Sequence, residues 1–414
     1  MTKFQKNDVL LSIKDSIFYS LMQGSGENFL CAFLLAMGVG DVWAGLVSVI
    51  PILLGAFLQL YSSYGLKLFS SYKKWVVFCV VVQALSFLPL IFIARMGSAP
   101  LWVVFFFVSV YWGSGMAAST AWNVWIANLI PGTMKKGFFS NRGLFSQVFT
   151  LLGLAIAGSA LHMGEKAGLR MEVFSVLFFA AFCLRLISAF YLTQHSEMFV
   201  AHQFSPTSSF KEFFQELKTG KASDLFKFIL FFYVCVHISA PYFSPFMLSK
   251  LNLSYQAYMV LIACAYVTKS LAYHLLGTWM RRIPNHKLLL LGSIGVTGLP
   301  WLWTLSSDFF TLCLVQMVSG FMWAIYELAA FLLTMELVPD LKRSKVLSYY
   351  NVINYVGILI GALIGGMFLS LKGKSFEAFI DLFYLSSFVR FIALALLPSF
   401  YLNYRKQIKL QALN

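Results

Sequence analysis

Charge is scarce in this sequence. Only 11% of its 414 residues are Asp, Glu, Lys or Arg, against about 25% in soluble domains. A water-facing surface cannot be built from so few, and 59% hydrophobic residues with a mean hydropathy of +0.77 leave a polytopic membrane protein. Paired cysteines are missing too. Cys31, Cys79, Cys183, Cys235, Cys264 and Cys313 stand singly in apolar runs, which excludes a CxxC metal or redox motif and argues against a disulfide framework. No stretch reads G-x-x-x-x-G-K-[ST], so nucleotide hydrolysis is not the energy source. No nucleophile motif gathers Ser, His and carboxylate, so no enzyme, metal or cofactor is expected. The first apolar run lacks a small-residue cleavage site after it and reads as a span, not a signal peptide.

What is present is a regular series of apolar runs, each near the 20 residues that a spanning helix needs. They cover 16–38, 42–64, 75–95, 101–127, 143–163, 172–193, 225–248, 255–277, 288–306, 309–337, 345–371 and 377–401, here spans 1 to 12. Barrel strands would be about ten residues of alternating pattern, so the fold class is all-α. The formal net charge of +15 lies in short loops and forms no basic groove with interleaved aromatics, so no nucleic-acid partner is expected. One set of loops and tails carries 22 of the 31 Lys and Arg, and the opposite loops carry six. The positive-inside rule then puts both termini in the cytoplasm. Trp43, Trp75, Trp102, Trp279 and Trp301 fall near span ends, as an interfacial belt requires.

The longest loop divides the chain into bundles at 1–193 and 225–414 with a linker at 194–224. Within the linker, SFKEFFQELK (209–218) places Phe210, Phe213, Phe214 and Leu217 on one helical face, the pattern of an amphipathic helix on a membrane surface. The halves repeat. At an offset of 208, segments 128–158 and 336–366 share eight of 31 residues, among them Pro131/Pro339, Ser140/Ser348, Gly153/Gly361 and Gly158/Gly366. At an offset of 205, FSVLFFAAFCLR (174–185) matches FIDLFYLSSFVR (379–390), with Arg185 against Arg390. Parallel repeats of this kind recur in secondary transporters.

Twelve spans, a long central loop and a basic loop between spans 2 and 3 resemble the major facilitator superfamily. Its signature in that loop is G-x-x-x-D-R-x-G-R-K. Here GLKLFSSYKK (65–74) keeps Gly65, Lys73 and Lys74, with Phe69, Ser70 and Tyr72 at the Asp, Arg and second Gly positions. The second copy, GTWMRRIPNHK (277–287), keeps Gly277 and Arg282, with Arg281 at the acidic position. Span 5 has no Gly-Pro pair like that of the family's drug antiporters. The resemblance implies two six-helix bundles and a central cavity lined by spans 1, 4, 7 and 10.

An ionisable residue inside a span is costly, about 2.5–3.5 kcal/mol, and marks function by default. Those four spans carry Glu27, Asn123, His237 and Glu327. An alignment of spans 1 and 7 at offset 210 sets Glu27 opposite His237. Burial disfavours the charged forms of both side-chain types, so Glu27, His237 and Glu327 are the expected proton-coupling groups. For Glu27, structural pairing with Lys269 and direct contact with substrate are the alternatives. Lys269 on span 8 needs a partner, either Glu27 or Glu327. Gln23, Asn28, Trp122, Asn123, Trp125 and Lys269 are the expected substrate-cavity residues. Arg185 and Arg390, on spans that are peripheral in the family, read as snorkelling or paired structural residues. Glu336 with Arg281 or Arg282 is the expected gating latch. The function these features predict is proton-coupled secondary transport of a small organic, partly amphiphilic solute across a bacterial inner membrane by a monomer. A passive facilitator, a lipid flippase and a non-transporting receptor are the rivals.

Overall fold

The structure, a computed structural model, describes residues 3–60, 62–129, 135–197, 218, 222–278, 283–337 and 340–397. Among them every regular element is a helix. The amphipathic segment expected at 209–218 lies outside the described residues, save for residue 218. Among the described residues each of the twelve apolar runs is helical, and nine stretches are by themselves long and apolar enough to cross a membrane. Large apolar side chains such as Phe92, Phe106, Phe179, Phe388 and Phe391 stay more than half exposed, as lipid-facing surface does.

The chain forms two compact units. The first takes residues 1–205 and 247–260, the second residues 206–246 and 261–414. In the first unit, span 1 is broken into Lys3–Ser25, a 3₁₀ turn at Glu27–Phe29 and Leu30–Ala36. Span 2 covers Asp41–Leu46, Ile50–Leu60 and Ser62–Phe69, and span 3 covers Tyr72–Leu85 and Phe87–Met96. Spans 4, 5 and 6 are continuous at Leu101–Leu129, Lys135–Lys166 and Arg170–Thr193. Residues 247–260 are held in this unit by the Lys250–Asp41 ion pair (2.9 Å) and by Tyr258 edge-on to Phe29.

In the second unit, span 7 runs over Ser223–His237 and continues through short turns. Spans 9 to 12 are Asn285–Leu302, Phe309–Leu337, Asp340–Leu371 and Phe376–Leu394; span 8 is Tyr255–Thr278. Spans 5 and 11 begin several residues before their apolar runs, at Lys135 and Asp340. Local chemistry sets several starts. Asp308 Oδ2 accepts from the Thr311 backbone N–H (3.0 Å) and hydroxyl (3.1 Å), capping span 10, and these bonds hold its carboxyl below the usual range. Ser71 and Ser375 cap spans 3 and 12 through the N–H groups of Lys74 and Ala378.

The repeat is visible in the packing. Gly153 of span 5 lies so close to span 1 that an added Cβ would sit 2.6 Å from the Leu21 carbonyl oxygen. Gly361 of span 11 meets the Val234 carbonyl of span 7 in the same way, at 2.2 Å. Each of these helix pairs therefore closes on a glycine, as small-residue contacts between membrane helices do. A side chain there must push backbone, not a movable rotamer. Gly153→Val and Gly361→Val are each expected to cost about 1–3 kcal/mol, read as a lower midpoint in detergent unfolding. Gly143→Val, where nothing lies within 4 Å, should leave the midpoint in place.

These contacts also fix the register between spans 1 and 7. Leu21 corresponds to Val234, and the 3₁₀ turn Glu27–Phe29 corresponds to Ala240–Tyr242. The offset is 213, so the position equivalent to His237 is Gly24. The alignment at 210, which set His237 opposite Glu27, is corrected by three residues; apolar matches along two oily helices carried too little register information.

Candidate functional site

In unit 1 the break in span 1 positions Glu27. Gly24 and Gly26 weaken the helix, and the Ser25 hydroxyl bonds back to the Leu21 carbonyl (2.8 Å). At Gly26 an added Cβ would be 3.0 Å from Ala181, so the turn can press against span 6 only without a side chain. The carboxylate that follows is half-buried. Its Oε2 accepts a 2.5 Å bond from the Tyr111 hydroxyl of span 4, and Oε1 accepts from Gln23 Nε2 at 3.1 Å. Tyr111 is itself buried at 2% exposure and packs edge-on against Phe87.

Glu27 makes no ion pair among the described residues. Arg185 acts on it through space only, since that guanidinium is bonded to Gln83 and Ser188. Asn28, next in the turn, has a buried Nδ2 with no hydrogen-bond partner among the described residues. Tyr111 was not expected from sequence; a tyrosine in a 17% aromatic chain carries no mark that sets it apart.

Trp122 and Asn123 line a second feature of the unit, a cavity of about 180 Å³. The guanidinium of Arg142 lies over the Trp122 ring at 4.0 Å. Trp125, expected beside them, is fully buried elsewhere. Its indole N–H donates to the Ser196 carbonyl (3.2 Å), within a clamp that fastens the chain just after span 6. Asp8 accepts from the Ser196 N–H (2.9 Å) and hydroxyl (2.8 Å). Lys73 donates to the His195 carbonyl (3.0 Å), and the Ser71 hydroxyl to Glu197 (2.9 Å). The loop between spans 2 and 3, which lacks the acidic and arginine positions of the family signature, is thus tied to residues 195–197.

His195 in this clamp is 1% exposed, with Nδ1 3.2 Å from Asp8 Oδ1. Burial pushes its pKa down, and the charge of Asp8 only partly opposes this. The folded protein therefore holds the imidazole neutral, while the unfolded chain binds a proton below about 6.5. Stability is expected to fall as pH drops through that value toward the folded pKa. A thermal-midpoint series from pH 8 to pH 5 should slope downward, and His195→Gln should flatten the slope.

In unit 2, Lys269 pairs with Glu327, its Nζ 3.0 and 2.8 Å from the two carboxylate oxygens. The Tyr273 hydroxyl, one turn along span 8, donates to Oε2 at 2.9 Å. Of the two partners open to Lys269, the structure takes Glu327. His237 turns to its own helix, with Nδ1 2.9 Å from the Tyr233 carbonyl and its ring stacked on Tyr233. Glu336 accepts a short hydrogen bond from Asn285 Nδ2. Arg281 and Arg282, the other halves of the expected latch, lie outside the described residues.

Arg185 and Arg390 do not snorkel. They are 5% and 2% exposed and point into their bundles. Arg390 donates to the carbonyls of Val296 (2.8 Å) and Val236 (3.0 Å) and to the hydroxyls of Ser239 (2.9 Å) and Ser386 (3.2 Å).

Residues 225–413 match the family model of the Major Facilitator Superfamily. The matched residues make up just under half of the chain, and they are what resembles the family. The N-terminal half repeats the C-terminal half in sequence and in helix packing. The solved nucleoside transporter NupG superposes with a TM-score of 0.70 at 11% identity, over 97% of this chain and 99% of that one. The D-xylose-proton symporter gives 0.71 at 12% identity, over 95% and 97%. A bacterial homologue of the human lysosomal transporter Spinster, in an inward-facing unoccupied form, gives 0.67 at 13%, over 99% and 98%. No curated protein matches the sequence. At these identities the likeness is one of fold, and the apolar helices make the chain a multi-pass membrane protein.

Proposed function

We propose that this major facilitator superfamily protein is a secondary transporter that moves a small organic solute by alternating access, with protons as the coupling ion. It works as a monomer in a bacterial inner membrane with both termini in the cytoplasm, the orientation favoured by its basic loops.

The observation that carries the coupling is the contrast between two carboxylates. Glu327 is held by a cation, Lys269, and by Tyr273. Glu27 is held by neutral donors alone, Tyr111 and Gln23. A carboxylate without a bonded cation can take up a proton without stranding a partner's charge, and it sits where span 1 is already broken. Glu27 is therefore the coupling group, with Lys269–Glu327 as a fixed ion pair of the second unit.

The test is a liposome with a trapped pH indicator and reconstituted protein, challenged with solutes one class at a time. A solute that drives proton movement only in protein-containing vesicles supports the reading. Solute flux with no proton movement would replace it with a facilitator.

A further inference from the structure

The two units use one scaffold and fill it differently. Spans 1 and 7, and likewise spans 3 and 9, correspond at offset 213, since Arg185 meets Gln83 of span 3 where Arg390 meets Val296 of span 9. Spans 6 and 12 correspond at offset 205. In unit 2 the cytoplasmic half of span 7 packs with rings. Phe228 stacks on Phe232 at 5.4 Å, and Phe232 lies 5.2 Å from Tyr326, all within one buried apolar cluster. The equivalent positions of unit 1 are Asp15 for Phe228, Tyr19 for Phe232, Gln83 for Val296 and Ser188 for Ala393. The fold is thus completed in unit 2 by apolar residues at positions where unit 1 buries a carboxylate and polar groups. Buried charge is costly, so packing alone gives no reason for it there.

The charges in unit 1 surround the cavity of about 180 Å³, lined among others by Asp15, Tyr19, Ser119, Trp122, Arg142 and Arg185. They do not balance: two guanidiniums face one carboxylate. Asp15 is shared between them. Its Oδ2 lies 3.2 Å from Arg142 Nη2, and its Oδ1 accepts from Ser188 (2.7 Å), whose hydroxyl in turn accepts from Arg185 Nη1 (2.8 Å). The Arg142 contact is a single one, short of the bidentate fork that a guanidinium and a carboxylate prefer. Its Nε is out of water and has no acceptor among the described residues. Glu27, the further carboxylate of span 1, is taken by Tyr111 and Gln23.

Both cations lie over rings, Arg142 over Trp122 at 4.0 Å and Arg185 over Tyr19 at 4.6 Å. They are preorganised donors. Arg142, with 21% of its side chain exposed, opens the cavity to solute while Arg185 closes its interior end.

We propose that this cavity binds a small oxyanion, an organic carboxylate or phosphate, between Arg142 and Arg185, and that the transported solute carries this group. The inference rests on the transporter reading and names the chemistry of its cargo. The volume suits about six waters, and so an anion of fewer than about ten heavy atoms. Asp15 then acts as the internal competitor, occupying Arg142 when the solute has left.

The test is titration calorimetry on the full chain in neutral detergent at fixed ionic strength. The probes are succinate, inorganic phosphate, the neutral succinamide, and short-chain phosphatidylglycerol as a lipid-headgroup control. Succinate or phosphate should bind and succinamide should not. Arg142→Gln should weaken binding about tenfold or more, whereas Asp15→Asn should keep or tighten it, because it removes the competitor. A merely structural network would make both variants equally harmful. Three results would overturn the inference: no anion binding beyond that of chloride, equal losses in the two variants, or binding of phosphatidylglycerol alone. Flux of a neutral solute without anion binding would sink this inference and leave the transporter reading intact. Anion binding with no flux in liposomes would do the reverse.

Discussion

Glu27→Gln is expected to abolish solute accumulation against a gradient while leaving exchange of solute across the membrane intact. The amide is nearly isosteric; its oxygen still accepts from the Tyr111 hydroxyl, and its NH2 can donate to Gln23 once that side-chain amide flips, so the turn at Glu27–Phe29 should persist. What it loses is the proton. In a coupled carrier the empty protein must shed or gain that proton before it reorients, and a permanently neutral residue removes the requirement. The accumulation ratio in vesicles with an imposed proton gradient should therefore collapse to one, the value for passive equilibration. Counterflow, in which internal solute exchanges with labelled external solute, should stay within a few-fold of wild type. Tyr111→Phe offers a graded version: it removes one donor from Glu27 and should shift the pH at which transport is half-maximal without abolishing accumulation. If Glu27→Gln accumulates solute as wild type does, the coupling group lies elsewhere and Glu27 is a structural residue of the broken span.

Much of the fold was legible in the sequence because hydropathy at the scale of a bilayer is a coarse signal. Twelve runs, two halves and the repeat need only period and length, and among the described residues each run is helical. Single residues fared differently. Glu27, Lys269 and Glu327 stood out because a charge in an apolar run is conspicuous, although which carboxylate the lysine takes was not legible. The Asp15–Arg142–Arg185 cluster did not. Asp15 and Arg142 fall at the margins of their runs, where charge reads as loop, and only the unusual length of span 1 on the side of the N-terminus and of span 5 beyond its apolar core brings them inside a bundle. Arg185 was visible, but its direction was not, since one residue turns a helix by about 100° and peripheral spans still have an inner face. Register was the other loss. Small residues fixed it for spans 5 and 11, whose Gly153 and Gly361 touch backbone, whereas spans 1 and 7 share almost no side chain whose identity the packing demands.

Arg390→Met is expected to be among the most damaging truncations in unit 2, and Pro300 supplies the reason. Pro300 sits inside span 9 and has no N–H, so the Val296 carbonyl four residues earlier lacks its helical donor. Arg390 Nη1 provides one at 2.8 Å, and Nη2 serves the Val236 carbonyl next to the break in span 7. Each buried acceptor left unpaired costs about 1–3 kcal/mol. Removal of the cation returns some desolvation energy, and the Val236 carbonyl keeps the Ser239 N–H at 3.3 Å, but the Val296 carbonyl loses the donor that replaces the missing N–H of Pro300. The Ser239 and Ser386 hydroxyls, 3.0 Å apart, still have each other. The loss should therefore be about 1–3 kcal/mol, read as a fall in the unfolding midpoint of the purified protein. Pro300→Ala restores the N–H to span 9 and should recover about 1 kcal/mol of the deficit in the Arg390→Met background. In wild type, where Arg390 already serves Val296, the same change should give little through this bond. A double-mutant cycle on the two positions isolates that difference. A coupling near zero would mean that the Arg390–Val296 bond contributes nothing to the fold, and that the arginine is held for its charge instead.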